Sequence, residues 1–135
     1  MEEKKITGVL LDVNTQQVKP ITVNDDLQEY YRLLGCESIE IIARKIAGRT
    51  FLIVCDEEGT IKEKPVISGL DTGFRPDLVG SLFICKPGED GELGSLEEKD
   101  IACIEEFTQK VPAFFVGFRN NMSDAYVLCM LENVM

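Results

Sequence analysis

Three consecutive carboxylates, Asp56, Glu57 and Glu58, form the densest group of side chains in this sequence that could do chemistry. Carboxylate oxygens are the ligands that Mg²⁺ and Ca²⁺ prefer, so this turn is a candidate for a metal-binding or small enzymatic module. Neighbouring residues on a tight turn point in different directions, which works against three of them converging on one ion. The acidic stretch at residues 88–92 lacks the alternating ligand order of a calcium-binding loop.

Other signals of catalysis or cofactor binding are missing from the sequence. It has no histidine, which removes the commonest general base and the commonest metal ligand. It contains neither a glycine-rich phosphate loop nor a G-x-S-x-G nucleophile motif. The five cysteines include no C-x-x-C pair, and Cys55, Cys85 and Cys129 lie in apolar runs that predict buried thiols. We therefore expect no catalytic residue and no cofactor, and a binding protein is favoured over an enzyme.

Acidic residues are concentrated in one segment of the chain. The 135 residues carry a formal net charge of −10, and residues 87–106 contribute −7 of it through eight acids and one lysine. This charge argues against direct binding to a nucleic-acid backbone, which requires a basic surface, and against binding to an anionic membrane. We predict instead a docking surface for a basic partner protein. Its predicted residues are Glu89, Asp90, Glu92, Glu97, Glu98 and Asp100.

Two other interpretations of the acidic segment stay open. One is a solvated surface that only keeps the protein soluble and monomeric. The other is mimicry of a nucleic-acid backbone, in which rows of carboxylates occupy the DNA-binding site of a nuclease or a regulator. Basic residues elsewhere in the chain, among them Arg44, Lys45 and Arg49, interrupt the acidic field and weaken the mimicry hypothesis.

Residues 68–76 form the longest predicted loop, because they contain two glycines and one proline and show little periodicity. Phe74 and Arg75 on this loop are a second candidate for partner binding, since aromatic and arginine side chains dominate binding hot spots. The alternative is that Phe74 folds into the core beneath the loop, as most large aromatic side chains do.

Hydrophobic spacing predicts the helices that position these residues. Apolar side chains at helical intervals predict one helix at residues 25–34, capped by Asp25 and ended by Gly35. The same pattern predicts a second helix at residues 95–110, with Ser95 as its N-cap.

The remaining apolar runs predict strands linked mainly by hairpins. Residues 78–86 form one strongly apolar strand, and shorter strands are predicted at residues 60–64 and 113–118. We predict an α+β fold over residues 1–135: a single domain with a largely antiparallel sheet built from hairpins and two helices packed on one face. The C-terminal extension, residues 111–135, is predicted to complete the sheet or to form an interface, which would allow a homodimer.

The sequence carries no targeting signal that we recognise. No apolar segment follows the charged N-terminus, so a secretory signal is not predicted. No apolar run approaches the ~20 residues that span a bilayer. We therefore expect a cytoplasmic protein that does not contact a membrane.

A succession of short motifs resembles a known family. The motifs are Leu34-Gly35, Ile39-Glu40-Ile41, Cys55-Asp56-Glu57-Glu58-Gly59, residues 77–84 and Gly94-Ser95-Leu96. In this order, over roughly residues 5–105, the chain resembles the family of the domain of unknown function 3846. These are small proteins of plasmids, conjugative elements and prophages, mainly in Gram-positive bacteria. The resemblance implies a mobile-element accessory protein, with a host or element-encoded partner, and brings no known activity or catalytic residue.

Overall fold

The computed structural model describes residues 4–58, 67–71, 73, 75–112 and 125–132. The strands are β1 (Lys5–Asp12), β2 (Gln17–Asn24), β3 (Ile39–Ile46), β4 (Arg49–Asp56), β5 (Ile67–Leu70), β6 (Pro76–Val79), β7 (Leu82–Pro87), β8 (Leu93–Gly94), β9 (Thr108–Pro112) and β10 (Ala125–Met130). The helices are α1 (Leu27–Leu34) and α2 (Glu98–Glu106). The strands predicted at residues 60–64 and 113–118 lie outside the described residues.

The strands form two sheets. The first sheet has the order β2-β1-β7-β4-β3, all antiparallel, and β8 pairs with the end of β7. The second sheet has the order β6-β5-β10-β9, in which only β5 and β10 run parallel. The prediction of a single α+β domain with a largely antiparallel sheet and two helices is confirmed, although the strands divide into two sheets.

The division into two sheets occurs inside the apolar run that was predicted as one strand. Gly80 has a φ of 80°, a left-handed conformation that glycine adopts without strain, and it separates β6 from β7. β6 pairs with β5 in the second sheet, whereas β7 becomes the central strand of the first. The predicted loop at residues 68–76 is also shorter than expected, because Ile67–Leu70 is a fully buried strand.

Strand β7 is buried on both faces. Leu82 and Ile84 point into a core cluster that also contains Ile104 of α2, while Phe83 and Cys85 point into a second cluster that contains Tyr30 of α1. Successive side chains of a strand alternate between faces, so the two helices lie on opposite faces of the first sheet. We call these the α1 face and the α2 face. This arrangement differs from the predicted packing of both helices on one face, because an all-apolar central strand needs cover on both sides.

The second sheet shares the α2 face with α2. Leu78 of β6 and Cys129 of β10 belong to the same buried cluster as Ile84. A forked ion pair also links the sheets: Arg44 of β3 donates to both carboxylate oxygens of Asp77 in β6, at 2.9 and 3.1 Å. A bidentate pair of this kind fixes the relative direction of the two strands.

Both helices are capped, but not by the predicted residues at their starts. Asp26 caps α1 by accepting a hydrogen bond from the Glu29 amide at 2.8 Å, one residue after the predicted cap. Gly35 ends α1 in the left-handed conformation, as predicted, with a φ of 64°. Asp25, the predicted cap, instead accepts a hydrogen bond from the Tyr30 hydroxyl at 2.7 Å.

Helix α2 begins later and ends earlier than predicted. Its capping box is Glu97 with Asp100, since each side chain accepts a hydrogen bond from the backbone amide of the other. Ser95, the predicted cap, accepts a hydrogen bond from the Thr7 amide of β1. The helix ends at Glu106, because β9 begins at Thr108 and pairs with β10.

No helix in the described ranges is long and apolar enough to cross a lipid bilayer.

The close packing of Gly8 in β1 against β7 gives a test of the fold. A Cβ at this position would lie 2.5 Å from the Ile84 carbonyl oxygen and 2.6 Å from the Phe83 ring. We expect Gly8→Ala to lower the free energy of unfolding by about 1–3 kcal/mol, because the crowded atoms include backbone. Chemical denaturation would measure this loss. Gly73→Ala is the control, since its new Cβ would make only an ordinary contact with Asp71; an equal effect of both substitutions would contradict this packing.

Candidate functional site

The three carboxylates of the 56–58 turn do not form a metal-binding group. Asp56 accepts a hydrogen bond from the Glu58 amide at 2.9 Å, and Glu58 accepts one from the Ser38 hydroxyl at 3.3 Å. Across the described residues, no group of three or more histidine, cysteine, aspartate or glutamate side chains is placed to hold a metal ion. The structure therefore does not assemble Asp56, Glu57 and Glu58 into a set of ligands.

The predicted acidic surface is divided between the two faces of the first sheet. Glu92 lies beside α1, where it pairs with Lys4 at 2.8 Å. Glu97 and Asp100 belong to α2 and its cap on the opposite face, where Lys86 lies 3.3 Å from Glu97. Because β7 runs between the two groups, their carboxylates do not form one continuous row.

Ion pairs further reduce the predicted acidic surface. Glu97 lies 3.7 Å from Lys99 in addition to its contact with Lys86. In the part of the chain that the structure describes, Glu89, Asp90 and Glu98 are exposed and have no ion-pair partner. The uncompensated charge that a partner would meet on this segment is therefore smaller than the sequence suggests.

Asp100 is buried rather than presented to a partner. Its residue is only 6 % exposed, and its carboxylate contacts Arg49 at 3.0 Å and Lys86 at 3.4 Å. Burial alone would raise the pKa of Asp100, but the hydrogen bond from the Glu97 amide, the charge of Lys86 and the hydrogen bonds from Lys86 and Arg49 lower it below its ordinary value. Asp100 therefore anchors the start of α2 to the first sheet and is unsuited to docking.

The second predicted binding element is only partly described. Phe74 lies outside the described residues, so its predicted role as an anchor remains a prediction. Arg75 is exposed, and its amide donates a hydrogen bond to the Asp71 carboxylate at 2.9 Å. The Asp71 side chain also accepts from the Gly73 amide at 2.8 Å, which stabilises the turn.

A surface groove on the α1 face was not found by sequence reasoning. Its volume is about 520 Å³, and it lies between the start of α1, strands β3 and β4, and the turn that precedes β8. We call it the α1 groove. It is lined by Asp25, Asp26, Leu27, Tyr30, Ile39, Ile41, Leu52, Gly91, Glu92 and Leu93.

Two large apolar side chains in the α1 groove are unusually exposed. Leu27 is 56 % exposed and Ile41 is 49 % exposed, and Phe107 at 37 % is the other exposed large apolar residue among those described. Leu27 lies on the apolar side of α1, and such a position usually indicates a buried side chain. In the structure, however, Leu27 is in the first turn of the helix and lines the groove. A helical pattern identifies which side of a helix is apolar, and it does not show how far the sheet extends beneath it.

The polar groups of the α1 groove already have structural partners. Asp26 caps α1, Glu92 pairs with Lys4, and Asp25 accepts from the Tyr30 hydroxyl. Burial and the hydrogen bond to Asp25 raise the pKa of Tyr30, so its hydroxyl stays protonated at neutral pH. The groove therefore offers fixed negative charge and apolar contact area, which suit binding better than proton transfer.

The three cysteines predicted to be buried do not contribute reactive thiols. Cys55, Cys85 and Cys129 are buried, as the sequence predicts. Burial raises the pKa of Cys55 and of Cys85 to about 12, and that of Cys129 to about 11. Since the thiolate is the nucleophilic form, these three residues are inert side chains of the core at neutral pH.

Together, these elements define a small α+β domain with an acidic and apolar groove on its α1 face. The model of one protein family, described as a domain of unknown function (DUF3846), matches residues 6–111. The chain therefore belongs to the DUF3846 family, which confirms the resemblance seen in its motifs. No curated protein and no solved structure matches the sequence.

The burial of Asp100 gives a pH-dependent test of its role. Its lowered folded-state pKa means that its charge stabilises the fold above the ordinary value of 3.8, and that this contribution is lost as the pH falls through the folded-state pKa. We expect Asp100→Asn to lower the free energy of unfolding at pH 7 by about 1–2 kcal/mol, since a helix cap loses its charge. The difference from the unmodified protein should shrink below about pH 4.

Denaturation at several pH values would measure this difference. Glu98→Gln is the matched control, because Glu98 lies on the same helix, is exposed and has no ion pair among the described residues. Its effect should stay within about 0.5 kcal/mol at every pH. A loss for Glu98→Gln as large as that for Asp100→Asn would contradict the structural role of Asp100.

Proposed function

We propose that this member of the DUF3846 family is a non-enzymatic protein-binding domain whose binding site is the α1 groove. The observation that carries the proposal is the exposure of Leu27 and Ile41 in the same groove. Exposed apolar side chains that share one depression are typical of interaction sites, whereas single ones scattered over a surface need no explanation.

The charge of the groove supports a basic partner. Asp25, Asp26 and Glu92 supply three carboxylates, and Lys4 forms an ion pair with one of them, Glu92. The exposed Glu89 and Asp90 lie in the turn that leads to Glu92. Complementary charge at the rim of an apolar site steers a partner and makes association sensitive to salt.

The compartment and the biological setting are further parts of this proposal. We infer a cytoplasmic accessory protein of a mobile element, which acts on a host or element-encoded protein. One support is the formal net charge of −10, which disfavours binding to nucleic acids and to anionic membranes. The other is the resemblance of the sequence motifs to those of the family.

Affinity capture with matched variants would test the binding site. The tagged protein, Leu27→Asp and Phe107→Ser would each be incubated with host lysate at low and high salt, and the captured proteins identified by mass spectrometry. A captured basic protein would then be purified and titrated against each form. We expect Leu27→Asp to weaken its binding by about tenfold or more, because a charge replaces an apolar contact in the groove.

Phe107→Ser is the control, since it removes the other exposed large apolar residue, at the end of α2. Its affinity should equal that of the unmodified protein. Equal binding by Leu27→Asp and the unmodified protein would refute the α1 groove as the site.

A further inference from the structure

Strand β3 forms an outer edge of the first sheet, next to the α1 groove. At its far end, Lys45 and Glu132 exchange two backbone hydrogen bonds of 2.8 Å each, so the N–H and C=O of Lys45 point away from β4. The pairing of β3 with β4 is continuous from Ile39 to Ile46. Because backbone direction alternates along an antiparallel strand, the N–H and C=O groups of Ile39, Ile41 and Ala43 also point outward.

Within the described ranges, most of these outward groups have no backbone partner. Among the described residues, no backbone group is bonded to the outer edge of β3 between Ile39 and Ala43. The Ala43 carbonyl accepts a hydrogen bond from the Arg44 guanidinium at 2.9 Å, which occupies that one acceptor. An unpaired strand edge can pair with another extended segment. Glu132 already pairs with the outer edge of β3 in this way, at Lys45.

We propose that the partner supplies an extended segment containing lysine or arginine, which pairs with β3 at Ile39–Ala43 as a further strand of the first sheet. This inference rests on the proposed function of the α1 groove. An added strand gains main-chain hydrogen bonds from the edge and specificity from pockets that accept alternate side chains.

The side chains of β3 show where the added segment would make contact. Ile39 belongs to the cluster on the α1 face, and Ile41 shares its parity, so both lie on the groove side of the strand. Apolar residues of an added strand on this side meet Ile41, with Leu27 on the opposite wall of the groove. Basic residues on the same side would face the acidic lining of the groove, which includes Asp26 and Glu92.

Charge disfavours a second copy of this chain as the occupant. Pairing two β3 edges would bring two acidic rims together, and each chain carries a formal net charge of −10. Like charges brought together across an interface oppose association, whereas a basic segment neutralises the same rim. The favoured occupant is therefore a basic segment of another protein.

A synthetic peptide that repeats Lys-Thr-Val-Thr, acetylated and fluorescein-labelled, is a direct probe of strand addition, because its lysines and valines lie on the same face of an extended chain. Its binding to the full chain would be measured by fluorescence polarisation and by NMR of the β3 amides. We expect a dissociation constant of about 1 mM or lower. In the complex, the amides of Ile39 and Ile41 should exchange hydrogen more slowly than in the free protein. The same peptide with glutamate in place of lysine should bind at least about tenfold more weakly.

Two substitutions at one position separate strand addition from side-chain contact. Ile41→Thr and Ile41→Pro both remove the isoleucine side chain, but only proline also removes the outward N–H. Proline is tolerated at an edge position whose N–H faces outward, so pairing with β4 is retained. We expect Ile41→Pro to bind the lysine peptide about tenfold more weakly than Ile41→Thr.

Equal affinities of the two variants would overturn strand addition while leaving the groove as a binding site. Failure of Leu27→Asp to weaken capture would refute the proposed function itself, so the two failures are distinguishable. If circular dichroism shows that Ile41→Pro does not fold, the peptide N-methylated at alternate valines replaces it, and undiminished binding of that peptide would overturn the proposal. Absence of peptide binding at about 1 mM, or a dimer of the free protein at working concentration, would also overturn it.

Discussion

Strand β7 must be covered on both faces, and the rest of the fold follows from that requirement. Its residues Leu82 to Cys85 are all fully buried. On one face, Phe83 packs over Gly8 and against Tyr30 of α1, with ring centroids of Phe83 and Tyr30 5.8 Å apart. On the other face, α2 and the second sheet provide the cover. The ion pairs of Asp100 then fix the start of α2 over that face.

Because both faces of β7 are covered, another chain would have to pair with an edge of the first sheet, at β2 or β3. These two edges differ. The β2 edge carries exposed Lys19 and Pro20, which are typical residues of a strand protected against pairing. The β3 edge has exposed Ile41 instead, beside an acidic groove. This asymmetry supports the proposal that a partner binds along β3.

The sequence predicted the elements better than their arrangement. The left-handed end of α1 at Gly35 was predictable because it depends on local chemistry. The placement of the two helices on opposite faces could not be predicted from the sequence, because only the packed structure shows which face each helix covers. Asp100 was predicted to be exposed because its partners Arg49 and Lys86 lie on strands far away in the sequence. The α1 groove was missed for the same reason, as its walls come from separate segments.

Residue-resolved hydrogen exchange of the free protein, followed by NMR, would show whether the outer edge of β3 is open. An open edge requires an alternating pattern along β3: the amides of Ile39 and Ile41 exchange rapidly, whereas those of Glu40 and Ile42, which pair with β4, are protected. Uniform protection along residues 39–42 would show that the outer edge is already paired in the free protein. That result would contradict β3 as an open edge for a partner.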